Sequence, residues 1–110
     1  MVRFFFALVS IAFVINGVAT TAAAQTRPID EYQKTIRQLG AQADYFYVSF
    51  DEPFTTNCAY GVAYVSSAYK GIYTQLLAAK LSGRKISRLV YSQKDGAGTT
   101  CNVELVEIAD

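Results

Sequence analysis

The stretch Ser66–Gly83, SSAYKGIYTQLLAAKLSG, is the segment that the sequence predicts most clearly as a helix. Ser66 or Ser67 can cap the N-terminus by accepting a backbone N–H, and Gly83 can adopt the left-handed conformation that ends a helix. Its apolar side chains share one wide arc at about 100° per residue, the face that an amphipathic helix buries. They are Ile72, Tyr73, Leu76, Leu77 and Leu81. The stretch therefore predicts an amphipathic helix with strand-like sequence on both sides.

Lys80 is the odd residue of this helix, because its direction falls inside the apolar arc. An unpaired buried ammonium group would be costly. In the favoured interpretation the aliphatic stem packs while the charge reaches water or the last helical carbonyls. The alternative is contact with a partner or a buried ion pair.

The first 24 residues have the pattern of a secretory signal peptide. Arg3 gives a short positive region, an apolar run of 12 residues follows from Phe4 to Ile15, and Ala22–Ala24 offers a small-residue cleavage site. That apolar run is shorter than the ~20 residues that a membrane-spanning helix needs. We therefore predict cleavage after Ala24, export to the periplasm or beyond, and one domain over residues 25–110.

The charge of the predicted mature chain is balanced. Nine Lys and Arg residues remain once Arg3 is removed, against nine Asp and Glu residues. Nucleic-acid binding needs clustered cations that displace phosphate counterions, and a purely electrostatic membrane contact needs a basic patch. The composition argues against both classes of partner.

The two cysteines, Cys58 and Cys101, are predicted to form a disulfide, because the chain is directed to an oxidising compartment. The bridge would close a loop of roughly 44 residues, worth about 4 kcal/mol in the chain-entropy estimate. The sequence contains no histidine, which excludes a Cys–His nucleophile and leaves a zinc site without half of its usual ligands. We predict no cofactor and no metal site.

Four strands are predicted from alternating or β-rich sequence. They cover residues 45–50, 58–65, 85–92 and 101–108. In the last of these the alternation of apolar side chains slips after Leu105, which suggests a bulge or a strand end covered on both faces. The segment 30–42 is ambiguous, since its local spacing slightly favours a helix while Gly40 fits a strand that ends in a turn.

Counting that segment as a strand gives three strands, a helix and two strands, which is the order of the OB-fold. We therefore predict a β-rich α+β fold, a small OB-like five-stranded barrel with one helix between strands three and four. In such a barrel the third and fifth strands are parallel neighbours, so Cys58 and Cys101 at their starts would lie at the same edge and within bridging distance.

Three runs of the sequence resemble a group of small, uncharacterised exported proteins of Gram-negative bacteria. They are Cys58–Val65, Leu76–Tyr91 and Cys101–Ile108. The helix, the Ser-Gly-Arg-Lys turn and the next strand also show a pattern similar to the glycan-binding B subunits of pentameric AB-type toxins. This resemblance implies a disulfide-linked OB barrel, and no glycan-contact residue is carried over from it.

Two surfaces are candidate binding sites. Tyr45 and Tyr47 lie opposite Phe46 on their predicted strand and could form an aromatic platform, although tyrosines in β-rich domains more often serve packing. The run from Asp95 to Gly98 could bring backbone amides close to a ligand, although a mobile hairpin connection is the simpler interpretation. We retain Asp95 and Gly96, together with Lys80, as possible contacts to a ligand or partner.

No motif in the sequence carries catalytic chemistry. The adjacent acids Asp51 and Glu52 point apart on an extended chain and fit a solvated turn better than a carboxylate pair. We therefore expect a non-enzymatic exported binding module for a glycan or a protein partner. The alternatives are a periplasmic structural or assembly protein that forms homo-oligomers, and a small inhibitor of an exported enzyme.

Overall fold

In the computed structural model, which describes residues 27–110, six strands form one mixed sheet and one helix packs against it. The elements are β1 (Ile29–Lys34), β2 (Ile36–Gln42), β3 (Tyr45–Phe50), a 3₁₀ turn (Ala59–Gly61), β4 (Ala63–Ser66), α1 (Lys70–Ser82), β5 (Ile86–Ser92) and β6 (Cys101–Glu107). The predicted β-rich α+β class is confirmed. The predicted signal peptide, residues 1–24, lies outside the described residues.

The strand order of the sheet is β1-β5-β6-β4-β3-β2. Neighbouring strands are antiparallel except β4 and β6, which run parallel with Ala63 opposite Cys101. The expected parallel pairing of the strands that follow the two cysteines is therefore confirmed. The helix α1 connects β4 to β5, so its predicted place in the element order is also confirmed.

The predicted closed five-stranded barrel is wrong, because the sheet is open and has six strands with β1 and β2 at its edges. The segment 30–42 forms parts of two strands instead of one strand or a helix. Gln33 has a left-handed φ of 55°, and Thr35 leaves the ladder. The Thr35 N–H donates to the Glu52 carboxylate at 2.6 Å, and the Thr35 carbonyl accepts from the Asp51 N–H at 2.9 Å. These contacts from a distant turn break the strand.

The same contacts correct the interpretation of Glu52 as a solvated turn residue. Its carboxylate accepts hydrogen bonds from both the N–H and the Oγ1 of Thr35. Burial alone would raise the pKa of Glu52, but these hydrogen bonds outweigh it and lower the pKa below the usual value. Glu52 is therefore a charged anchor for the break between β1 and β2.

The predicted strand over 58–65 is shorter than expected. Cys58 precedes the 3₁₀ turn, and β4 begins only at Ala63. Tyr60 and Gly61 have left-handed φ values of 60° and 66°, which a strand cannot accommodate. The strands predicted over 85–92 and 101–108 are confirmed as β5 and β6, each within one residue of its expected ends.

The slip in the alternation of β6 coincides with an irregularity in its pairing to β5. Val90 pairs with Leu105, whereas the next residue, Tyr91, pairs with Val103. Glu104 is the extra residue on β6. Of the two predicted alternatives, a bulge or a covered strand end, the pairing supports the bulge, at Glu104 instead of after Leu105.

The helix is shorter than its sequence pattern predicts, since it begins at Lys70. Ser66 and Ser67 do not cap it, because Tyr69 occupies the N-cap position without a side-chain hydrogen bond. The Ser66 hydroxyl instead accepts the Ala68 N–H, in the turn before the helix. Gly83 ends the helix with a φ of 69°, as predicted.

Only part of the predicted apolar arc is buried. Leu76 is fully buried and Ile72 and Tyr73 are half-buried, whereas Leu77 is partly exposed and Leu81 is 79 % exposed. The sheet covers one side of the helix only, through β2, β4 and β6. The arc predicted from periodicity was therefore too wide.

Lys80 is exposed, and its ammonium group donates to the carbonyls of Arg37 at 3.2 Å and Ile36 at 3.5 Å. These carbonyls lie at the first residues of β2, where the pairing with β3 is irregular. The charge is therefore satisfied by strand carbonyls, which neither sequence interpretation named. Lys80 ties the helix to an edge of the sheet.

A buried ion pair joins Glu31 and Lys34 of β1, with 3.0 Å between Lys34 Nζ and Glu31 Oε1. Glu31 is 2 % exposed and Lys34 is 6 % exposed. Lys34 also donates to the Pro53 carbonyl at 2.7 Å, and Glu31 accepts the Thr55 N–H at 2.9 Å. The pair thus fixes the loop 51–58 to β1.

Aromatic contacts hold the same loop from the other side. Phe54 meets the rings of Phe50 and Tyr91 edge to face, with centroids 5.7 and 5.5 Å apart. The Tyr91 hydroxyl and the Thr56 hydroxyl are 2.7 Å apart. Burial, together with the nearby Glu31 carboxylate, raises the pKa of Tyr91 to about 12. The loop 51–58 is therefore packed against the core through Phe54 and Thr56.

No helix within residues 27–110 is long and apolar enough to cross a membrane.

Candidate functional site

A concave groove of about 610 Å³ lies over strands β3, β4 and β6, and four tyrosines line it. They are Tyr45, Tyr60, Tyr64 and Tyr69, and we call this surface the tyrosine groove. Hydroxyl and amide side chains form much of the remaining wall. They belong to Ser66, Ser92, Thr100 and Asn102. The groove therefore offers flat apolar rings beside hydrogen-bonding groups, and its volume falls in the range of about 300–1,000 Å³ found for small-ligand sites.

The strand register places Tyr45 and Tyr64 on one face of the sheet. Phe46 and Val48 alternate with them and point to the other face, where Val48 is fully buried and the Phe46 ring stacks on Tyr73 of α1 with centroids 4.0 Å apart. Burying these apolar side chains against the helix leaves the neighbouring tyrosines outside. The Tyr45 and Tyr64 rings meet edge to face, 5.1 Å apart.

Tyr60 has an unusual backbone for its residue type. Its φ of 60° and ψ of 10° place it in the left-handed region, and its side chain is 88 % exposed. For a residue with a Cβ, this conformation costs about 1–2 kcal/mol. The Gly61 N–H donates to the Cys58 carbonyl, and the Ala59 N–H donates to the Thr99 carbonyl. The surrounding turn thus imposes the conformation.

The disulfide between Cys58 and Cys101 holds this turn against β6, with 5.4 Å between the Cα atoms. The predicted pairing of the two cysteines is confirmed. Cys101 is flanked by Thr100 and Asn102, which both line the groove. The bridge therefore links the Tyr60 side of the groove directly to its polar wall.

A second set of contacts joins the two loops that flank the disulfide. The buried amide of Gln93 donates to the carbonyls of Asn57 at 2.7 Å and Thr99 at 3.2 Å. The Gly98 N–H donates to the same Asn57 carbonyl at 2.8 Å. The loop 93–100 is thereby fixed beside the turn that carries Tyr60.

The electrostatics of the groove are close to neutral. Its two charged lining residues, Lys94 and Glu104, are opposite in sign. Burial, together with the neighbouring Tyr45 and Tyr60, raises the pKa of Tyr64 above its usual value. The Tyr64 hydroxyl is therefore protonated at neutral pH and can donate a hydrogen bond as well as accept one.

A smaller depression of about 350 Å³ adjoins the groove and shares Tyr60 and Tyr64 with it. Its other lining residues are Ala41, Gln42, Tyr47 and Val62, and we call it the outer depression. Tyr47 pairs with Tyr64 across β3 and β4, and with Gly40 across β3 and β2. The Tyr47 ring lies directly over Gly40, where a Cβ atom would overlap its outer end.

Replacing Gly40 with alanine is expected to displace the Tyr47 ring and to lower the free energy of unfolding by about 1 kcal/mol, a cost at the lower end for overpacking because a ring can swing away. Urea unfolding measures the loss, and the NMR signals of the Tyr47 ring report the displacement. Gly71→Ala is the matched control, because nothing lies within 4 Å of that position and alanine favours the helix. We expect Gly71→Ala to stabilise the protein. If Gly40→Ala stabilises it as well, the packing of Tyr47 on Gly40 is contradicted.

The site residues predicted from sequence are spread over three places. Tyr45 lines the tyrosine groove and Tyr47 lines the outer depression. Asp95 and Gly96 lie in the loop 93–100, and neither lines the groove, although the adjacent Lys94 does. Lys80 lies on α1 and bonds to β2. The structure thus brings together the two predicted tyrosines and separates them from Lys80.

Sequence reasoning missed the tyrosines that complete the groove. Tyr64 carried a usable signal, since it alternates with small residues as Tyr45 alternates with Phe46. The sequence around Tyr60 and Tyr69 gave no such signal. Their positions depend on a 3₁₀ turn and on a helix that begins only at Lys70. Asn102 and Glu104 reach the groove through the parallel pairing of β6 with β4, which no local pattern reveals.

Comparison of the chain with protein-family models, with curated proteins and with solved structures finds no match.

Proposed function

We propose that this protein is a non-enzymatic exported module that binds a neutral glycan in the tyrosine groove. The observation that carries the proposal is the lining of the groove, four tyrosines beside serine, threonine and asparagine side chains. A sugar ring has an apolar C–H face and a rim of hydroxyl groups, so its binding needs both kinds of surface. Tyrosine supplies both, an aromatic face and a hydroxyl group.

An OB-like architecture is part of the proposal. If β1 and β2 are counted as two halves of one strand bent at Thr35, the strand order of the open sheet matches the OB order. OB-folds bind oligosaccharides and oligonucleotides on their second and third strands, flanked by the loop between the fourth and fifth. In this numbering those elements are β3, β4 and the loop 93–100, which all contribute to the tyrosine groove.

Charge balance supports a glycan over a nucleic acid as the ligand. The groove has one cation and one anion, Lys94 and Glu104, whereas a nucleic-acid groove needs a row of cations along the phosphate backbone. The disulfide is compatible with the predicted export, which would bring the module into contact with extracellular or periplasmic glycans.

A panel of immobilised neutral and anionic oligosaccharides tests the proposal. We expect binding to neutral members, loss of that binding in Tyr60→Ala and Tyr69→Ala, and unchanged binding in Tyr32→Ala. Tyr32 is the matched control, because it is 61 % exposed on β1 and lines neither the groove nor the outer depression.

Three other outcomes would overturn the glycan proposal. A protein that binds no glycan and forms a stable ring or dimer in light scattering would support a self-associating structural protein. Tight capture of an exported hydrolase in a 1:1 complex would support an inhibitor. Equal loss of binding in Tyr32→Ala would place the glycan outside the groove.

A further inference from the structure

We infer that the ligand of the tyrosine groove is an unbranched neutral chain that continues past Tyr60 into the outer depression, so that Tyr60 separates two subsites. This inference rests on the proposed function and names the class of glycan. It starts from the continuity of the two concave surfaces, which share Tyr60 and Tyr64. Glu104 and Lys94 line the groove only, and Gln42 and Ala41 line the outer depression only.

The size of each surface supports two subsites. The groove has a volume of about 610 Å³ and the outer depression about 350 Å³. Each volume alone is above the lower limit of about 300 Å³ for small-ligand sites. A ligand confined to one of them would leave the second aromatic surface without a contact, whereas a linear chain would cover both.

Tyr60 is the residue that the fold least explains. Its side chain is 88 % exposed, and its backbone has a conformation that glycine adopts at no steric cost. Packing in the core therefore does not account for a tyrosine there. Strained residues of this kind concentrate at binding sites, where surrounding contacts hold them in place. Here the disulfide at Cys58 and the hydrogen bond from Ala59 to Thr99 hold the turn.

The lining of the outer depression specifies a neutral chain. None of its six residues is charged, and Gln42 supplies both a donor and an acceptor beside the Tyr47 and Tyr60 rings. An anionic sugar placed there would meet no cation of the lining. The two charged residues, Lys94 and Glu104, line the groove and not the outer depression.

A length series of neutral unbranched oligosaccharides tests the two subsites. Glucose-, mannose-, galactose- and N-acetylglucosamine-based chains, each as disaccharide, tetrasaccharide and hexasaccharide, are titrated by calorimetry. We expect affinity for at least one series to rise with chain length and then reach a plateau. Tyr60→Gly should weaken binding of the hexasaccharide by about tenfold, the equivalent of one aromatic contact, and should weaken the disaccharide too, because Tyr60 lines the groove as well as the outer depression.

An unfolding measurement and two further variants keep the test independent of folding. Tyr60→Gly should unfold at the same temperature as the natural chain or at a higher one, because glycine relieves the strain of the left-handed backbone. Gln42→Ala should weaken the hexasaccharide only, and Tyr32→Ala should weaken neither ligand. A lower unfolding temperature of Tyr60→Gly would show that the ring serves packing and would overturn the inference.

Two outcomes distinguish a failure of the second subsite from a failure of the proposed function. If the disaccharide binds as tightly as the hexasaccharide and Gln42→Ala has no effect, the second subsite is wrong while glycan binding in the groove stands. If no series binds and the panel of immobilised glycans is also negative, the proposed function fails and the inference fails with it.

Discussion

Replacing Cys58 and Cys101 with alanine is expected to lower the free energy of unfolding by about 4 kcal/mol. The cysteines are 43 residues apart, and the bridge removes loop-closure entropy from the unfolded chain. For a domain of this size such a loss is a large share of the total stability. Alanine avoids burying a hydroxyl group, since both cysteine side chains are buried. Urea unfolding of the oxidised natural chain, the reduced natural chain and the double variant measures the loss.

The disulfide also has a local role that this variant tests. Because the bridge holds the turn around Tyr60 to β6, its loss should weaken binding in the tyrosine groove even where the protein remains folded. Leu76→Ala is the matched control, because it removes a fully buried side chain at a comparable cost of about 2–5 kcal/mol and leaves the turn intact. At a temperature where both variants are folded, we expect weaker binding only in the cysteine variant. Equal binding by the two variants would show that the bridge contributes stability alone.

Breaking the buried pair between Glu31 and Lys34 should cost about 3–5 kcal/mol, because either single replacement leaves the other charge buried without its partner. Glu31→Gln and Lys34→Met are the single variants. Their combination should cost less than the sum of the two single losses, since no buried charge remains. The exposed pair of Arg37 and Asp51, 3.1 Å apart, is the control. Arg37→Met should cost less than about 1 kcal/mol.

The titration of Tyr91 gives this prediction a second readout. Its pKa of about 12 exceeds the usual value because of burial and of the Glu31 carboxylate, so the folded state favours the protonated phenol. The corresponding stability is complete below about pH 10 and is lost as the pH rises toward about 12. In Glu31→Gln the pKa of Tyr91 should fall but stay above the usual value, because burial remains. Tyrosinate absorbance measures it, and an unchanged pKa would place Glu31 outside the surroundings of Tyr91.

Local chemistry was enough to predict the elements whose ends are set by their own residues. Gly83 ends the helix because a left-handed residue is needed there, and the slip after Leu105 marks a bulge because strand side chains alternate strictly. The pairing of the cysteines followed from the compartment and the strand order. These features depend on neighbours in sequence or on a single topological rule.

The features that sequence reasoning missed depend on contacts between distant segments. The break at Thr35 is made by hydrogen bonds to Asp51 and Glu52, which no pattern within 30–42 contains. The exposure of Leu81 follows from how much of the helix the sheet covers. The left-handed backbone of Tyr60 follows from the turn that the disulfide closes. The tyrosine groove depends on the turn at Tyr60 and on the pairing of β4 with β6, so its residues could be only partly predicted.

The central claim is that the tyrosine groove binds a neutral glycan, and an NMR titration of the tyrosine ring signals tests it most directly. The best-binding oligosaccharide of the panel is added to the oxidised protein until the signals stop changing. The account predicts that the ring signals of Tyr60, Tyr64 and Tyr69 shift together along one binding curve. Those of Tyr32, and of Tyr73 beneath the sheet, should remain in place. Shifts confined to Tyr32 or Tyr73, or unchanged groove signals at saturation, would contradict it.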